Sequence, residues 1–91
     1  MKFFFKKSAK KEWDRLAPDL NKQFKKKLEK LQLNPRVPAN AVSGAENLYK
    51  IKLKKAGYRL VYEVVDDKIH IEVILIGRQD RIYKTLRKIL P

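Results

Sequence analysis

The sequence predicts a single small α+β domain: an N-terminal strand and a two-helix hairpin packed on an antiparallel sheet, closed by a short C-terminal helix. Three observations carry this expectation. Leu20, Phe24, Leu28 and Leu31 recur at helical spacing. From Tyr49 to Tyr62, apolar and basic residues alternate on either side of Lys55-Ala56-Gly57, the pattern of a two-stranded hairpin. The chain has 91 residues, so residues 1–91 are read as one domain. A chain of this size buries only about 60–65% of its unfolded surface, which commits most apolar residues to packing.

Phe3 to Lys7 reads as a short, aromatic-rich first strand, with Ser8 as N-cap of the helix that follows. Ala9, Trp13 and Leu16 form the apolar stripe of that helix, and Pro18 either ends it or begins the next. The second helix runs from Asp19 to Leu33, with Lys22, Lys25, Lys26 and Lys30 mostly off its stripe, and Asn34-Pro35 stops it. Pro35 to Ala45 reads as a loop.

The hairpin register follows from chemistry, because a slip of one residue turns every side chain over. With Lys55-Ala56 as the loop and Gly57 beyond it, Leu53 faces Tyr58, Ile51 faces Leu60 and Tyr49 faces Tyr62. Lys52 then lies across from Arg59, and Lys50 across from Val61. Asp66-Asp67 makes the next turn, pairing Val64 with Ile69, Tyr62 with Ile71, Leu60 with Val73 and Tyr58 with Leu75. The helices cover the apolar face, since nothing else is available to bury it. The other face, with Lys50, Lys52, Lys54, Arg59, Glu63, His70, Glu72 and Ile74, is left open. Gly77 ends the last strand, and the basic segment Arg78 to Pro91 forms a loosely docked helix on Ile82, Leu86 and Ile89 or Leu90.

Composition narrows the function. Lys and Arg number 23 against 10 Asp and Glu, a net charge of +13. Such an imbalance costs self-repulsion and implies a polyanionic partner, nucleic acid first, with a membrane surface or an acidic protein behind it. The absence of cysteine excludes disulfides and thiolate chemistry. One histidine and scattered carboxylates offer no zinc site and no two-metal cluster, so neither a metal nor a cofactor is expected. The apolar run Ile69 to Ile76 falls short of the ~20 residues that span a bilayer, and the start of the chain has too short an apolar run for a signal peptide. A cytoplasmic protein is expected.

Lys50, Lys52 and Arg59 cluster on adjacent strands, with Lys54 nearby. Two readings compete: solvated charges on an exposed sheet face, or a grip on a phosphodiester. In the second, crowded cations lower one another's pKa and make one lysine a usable general base. RNA can then be cut without metal, by attack of a 2′-hydroxyl on its own phosphate while cations stabilise the phosphoryl oxygens. His70, between Glu63 and Glu72, reads as a local hydrogen-bond or ion-pair partner. Tyr49, Tyr58, Tyr62 and Trp13 read as core. Tyr83, beyond the cationic face, reads either as helix packing or as a stacking partner for a base.

The run Lys11-Glu12-Trp13, the stretch Phe24-Lys25-Lys26-Lys27-Leu28, Asn34-Pro35-Arg36, the hairpin Tyr49–Tyr62 and the ending Ile76-Gly77-Arg78…Tyr83 resemble the RelE toxins of bacterial toxin–antitoxin pairs, across essentially the whole chain. The resemblance implies a βααβββα fold and a metal-independent endoribonuclease that cuts mRNA in the ribosomal A site. It implies a RelB-like antitoxin wrapped around the toxin, with operator DNA bound only through that complex. It assigns catalytic roles to Lys50 and Lys52, with Lys52 the general base. Arg59 becomes the phosphate ligand and Tyr83 the residue that stacks on or orients the mRNA base. Lys54, Lys55, Arg78 and Gln79 are expected to contact RNA. Gln79 stands where the family commonly has an arginine proposed as proton donor, and Arg81 is the expected substitute. The alternatives are a ParE-like toxin that inhibits DNA gyrase, and a catalytically weakened member that binds RNA or ribosomes without cutting.

Overall fold

A computed structural model describes residues 3–31, 33–65 and 70–89. Among these the order is β1 (Phe3–Phe5), α1 (Lys7–Arg15), α2 (Pro18–Lys30), a 3-10 turn (Pro38–Asn40), β2 (Leu48–Leu53), β3 (Tyr58–Val65), β4 (His70–Arg78) and α3 (Gln79–Ile89). The strands form one sheet in the order β1-β4-β3-β2. The hairpin strands and β4 are antiparallel, but β1 joins β4 in parallel, Phe3 beside Ile71 and Phe5 beside Val73, so the sheet is mixed rather than antiparallel. A parallel neighbour needs a long crossover, and α1 and α2 lie within the segment joining β1 to the rest.

Lys6, not Ser8, occupies the N-cap of α1, in extended conformation and with no side-chain cap. Its backbone N–H still donates to Val73 O at 3.0 Å, carrying the β1 ladder one residue further, while Lys10 N donates to Lys6 O at 2.8 Å. The strand therefore runs directly into the helix and Ser8 is already helical. Pro18 begins α2, where its missing N–H costs nothing and its fixed φ suits the first turn. The helix ends at Lys30, earlier than Leu33, which is 96% exposed.

Every expected pair between β2 and β3 is present, from Leu53 with Tyr58 to Tyr49 with Tyr62. The connecting loop is four residues, Lys54–Gly57, rather than two, and Gly57 takes φ +69°, a conformation natural to glycine. The β3–β4 pairing differs from expectation. Val64 faces Ile71, Tyr62 faces Val73, Leu60 faces Ile76 and Tyr58 faces Arg78, with an irregularity between Val61 and Tyr62. Ile74 is the extra residue, since Tyr62 pairs with Val73 but the preceding Val61 pairs with Leu75. The expected turn at Asp66-Asp67 and the partner Ile69 lie outside the described residues.

Both faces of the sheet carry apolar clusters. On one, Phe24 and Leu28 of α2 and Ala9 of α1 pack on Ile51, Leu53, Leu60, Tyr62, Ile71, Val73 and Ile76. Tyr49 stacks on Tyr62 at 5.6 Å between ring centroids, and Trp13 meets Phe5 at 5.0 Å. On the other, Ile82 and Leu86 of α3 pack on Val42, Val61 and Ile74. The second face is thus partly roofed by α3 instead of left open, and Leu75, expected on the first face, belongs here. His70 is paired with neither glutamate; it sits edge-on to Phe4 at 5.0 Å, while Glu63 and Glu72 face each other across β3 and β4. No helix among the described residues is long and apolar enough to cross a membrane.

Candidate functional site

The docking of α3 on the second sheet face decides where the cationic residues end up. Ile82 and Leu86 point into the cluster below, which turns Tyr83 toward the hairpin. The Lys50 ammonium lies 5.5 Å from the centroid of the Tyr83 ring, within cation–π range. Lys50 comes from the middle of β2, and Lys52, two residues on and therefore on the same face, stands directly opposite Arg59 of β3.

Arg59 is 7% exposed, the only buried charged side chain among the described residues. Its Nη1 donates to Tyr58 O at 2.9 Å and its Nη2 to Gln79 Oε1 at 3.0 Å. Its Nε–H is buried without an acceptor. Gly77, opposite Arg59 on β4, presents no side chain there; a Cβ at that position would meet Ile82 Cδ1 at 3.4 Å.

Burial raises the pKa of Tyr83. That effect is outweighed by its polar contact with the Arg59 guanidinium and by the charges of Lys50, Arg59 and Lys52, so the phenol is held below its ordinary value. Tyr83 borders two cavities. One, of about 520 Å³, is lined by Gly57, Arg78, Gln79, Asp80, Lys84 and Arg87 besides Tyr83. The other, of about 230 Å³, holds Lys50 and Tyr83 with Val42 and Ser43 of the loop before β2.

Of the residues expected in the site, Lys50, Arg59, Gln79 and Tyr83 are joined by direct contacts, Lys52 faces Arg59 across the hairpin, and Arg78 lines the larger cavity. Lys54 and Lys55, at the exposed hairpin tip, line a separate depression with Lys52 and the α2 residues Asp19 and Lys27. Arg81 is not brought to this group. It is exposed and lines neither cavity beside Tyr83, because two residues along a helix are about 200° apart around its axis. Lys84 and Arg87 were not expected here. Their signal was the spacing from Asp80 and Tyr83, each four residues earlier and so on the same face of α3.

A cationic hairpin face, a buried arginine with an unpartnered donor and a tyrosine held over a lysine define a small basic α+β domain with a cleft lined by cations. The model of the ParE toxin of type II toxin–antitoxin systems, parDE, matches residues 3–83. The mRNA interferase toxin RelE of Escherichia coli K12 is 44% identical over 77 residues, covering 85% of this chain and 81% of that protein. The E. coli RelE toxin solved as a double mutant in the free state superposes with a TM-score of 0.84 at 40% identity, over 97% of this chain and 96% of that one. The RelE of the intact E. coli RelBE toxin–antitoxin complex gives 0.80 at 43% identity, over 84% and 93%. The chain belongs to the RelE toxins of the RelE/ParE superfamily.

Proposed function

We propose that this chain is the toxin of a toxin–antitoxin pair and an mRNA interferase, an endoribonuclease that inhibits translation by cutting mRNA. The observation that carries the reading to particular residues is the hairpin register, which sets Lys52 opposite Arg59 with Lys50 beside Tyr83. Homology at 44% identity to an mRNA interferase supports the activity.

In this reading Lys52 takes the proton of the 2′-hydroxyl, and the 2′-oxygen attacks the adjacent phosphorus. The bond from phosphorus to the 5′-oxygen breaks, leaving a 2′,3′-cyclic phosphate. Lys50 and Arg59 stabilise the charge that builds on the phosphoryl oxygens. Tyr83 orients the mRNA base, and Arg78, Lys54 and Lys55 hold flanking phosphates. The leaving 5′-oxygen needs a proton. The Lys50 ammonium, already in the cleft beside Tyr83, donates it, whereas Arg81 lies outside both cavities beside Tyr83. These residues supply a base and a cationic cradle of their own, so the cut is read as metal-independent. Residues 1–91 act as one domain, in the cytoplasm, on mRNA in the ribosomal A site. A RelB-like antitoxin neutralises the toxin, as the name of the E. coli RelBE complex suggests for its partner, and operator DNA is bound only through that complex. A gyrase-directed activity is not favoured, because the curated relatives at 42–44% identity are mRNA interferases or RelE-like toxins.

The test is induction of the wild type and of a Lys52→Ala, Arg59→Ala variant, followed by growth measurement and primer-extension mapping of mRNA ends. Growth arrest with new 5′ ends in translated codons is expected of the wild type alone. Equal toxicity of the two, or arrest with intact mRNA, would overturn the reading.

A further inference from the structure

A buried guanidinium is costly unless its donors are met, and Arg59 has five N–H groups in a rigid fork. Two of its nitrogens are engaged by acceptors of different kinds. Tyr58 O is backbone and immediately adjacent in sequence, whereas Gln79 Oε1 comes from α3, twenty residues away. Gln79 is also tied down by its main chain: its N–H donates to Gly57 O at 2.8 Å, clasping the start of α3 to the hairpin tip. That backbone bond is independent of the side chain at position 79. The side chain is therefore free to serve Arg59 alone.

We propose that Gln79 is a positioning residue for Arg59, its amide oxygen fixing the plane of the guanidinium that receives the RNA phosphate. The inference rests on the reading of Arg59 as the phosphate ligand. The residue type suits the task. An arginine here, the residue the family commonly carries, has no acceptor and would set a like charge against Arg59. A glutamate would accept, but its charge would neutralise Arg59 and repel the incoming phosphate. A neutral amide orients the guanidinium and leaves its full positive charge for RNA. Because hydrogen bonds to a charged acceptor are about twice as strong as neutral ones, an arriving phosphate can share or take over Nη2. Position 79 thereby passes from the expected RNA contact to a support one step behind the RNA.

The proposal is tested with the full chain carrying Gln79→Ala, Gln79→Glu, Arg59→Ala and the Arg59→Ala, Gln79→Ala pair, each checked for unchanged circular dichroism. Two readouts are used. The first is single-turnover cleavage of mRNA on programmed ribosomes. Gln79→Ala is expected to lower kcat about tenfold, the scale of losing a hydrogen bond to a charged group, with KM within about twofold. Gln79→Glu is expected to raise KM severalfold. The second is the NMR titration of the Tyr83 ring, which senses the Arg59 charge. Gln79→Ala should move the Tyr83 midpoint, and should move it no further once Arg59 is already alanine. An unmoved midpoint in Gln79→Ala, or an equal shift with and without Arg59, overturns the positioning role. A wild type that cuts no mRNA would instead defeat the functional reading, and the titration cycle would still decide whether Gln79 holds Arg59.

Discussion

The ammonium of Lys50 and the ring of Tyr83 lie 5.5 Å apart, joining the middle of β2 to the first turns of α3 across the sheet face. The contact links a strand residue to a helix residue whose phenol already leans toward ionisation. Tyr83 is expected to lose its proton below the ordinary value of about 10, and Lys50→Ala should return its midpoint upward. A lowered folded pKa stabilises the fold only above the folded value, so this contribution grows as pH rises toward about 10 and is absent at neutral pH. Ring-carbon NMR of Tyr83 between pH 7 and 11 checks both statements.

Tyr62 shows the opposite behaviour. It is fully buried, its hydroxyl donates to Pro35 O at 2.9 Å, and burial, with Tyr49 beside it, pushes its pKa well above the ordinary range. A raised folded pKa gives stability that is complete below the unfolded value of about 10 and is lost as pH climbs from there through the raised folded value. Alkaline unfolding is therefore expected above about pH 10, and Tyr62→Phe should weaken that pH dependence while costing about 1 kcal/mol at neutral pH. Chemical denaturation at pH 7 and pH 11 would measure both.

Lys52 is exposed, so Lys52→Ala should leave the melting temperature nearly unchanged. If it is the general base, ribosomal cleavage should fall by about 10²–10⁴-fold. A single-turnover assay beside a melting curve separates the two effects.

The two apolar clusters should fail differently. Phe24→Ala empties a fully buried position beneath α2, at a cost of about 3–5 kcal/mol, a large part of the roughly 5–15 kcal/mol that holds a domain together. Loss of the cooperative transition at 37 °C is expected. Leu86→Ala removes one of the two buried residues that seat α3, costing about 2–5 kcal/mol. It should loosen Tyr83 from Lys50 first, so hydrogen exchange should rise in α3 before the β2–β3 ladder.

Binding to RNA should weaken with salt. Each phosphate contact contributes close to one unit to the slope of log affinity against log salt. Lys50→Ala and Arg59→Ala should each lower that slope by about one, and a fluorescence titration of single-stranded RNA at several salt concentrations would show it.

The β2–β3 register was readable because its two faces differ sharply in chemistry, lysine and arginine against tyrosine, leucine and isoleucine. The same reasoning failed on β4, where apolar residues stand at both parities and the extra Ile74 breaks the alternation. Val61 and Ile74 on the nominally polar face were the sign that a second layer must cover it, and α3 does so. Ser8 looked like a cap by residue type alone, but the β1 ladder reaches as far as Lys6. The cluster of Lys50, Lys52 and Arg59 was legible as neighbours on a hairpin. The bond from Arg59 to Gln79 was not, because it depends on how a helix twenty residues away is seated.

Ile74 sets the phase of everything downstream of it. Through that one inserted residue, Ile76 faces Leu60 and Gly77 faces Arg59; in an uninterrupted ladder Ile76 would fall opposite Arg59 instead. The chain would then enter α3 turned over, and Tyr83 and Gln79 would leave the cleft from the wrong side. A slip of β4 that paired straight through Ile74 is thus a change of timing more than a loss of packing. It would leave the cations of the hairpin in place and disconnect them from the residues that aim them.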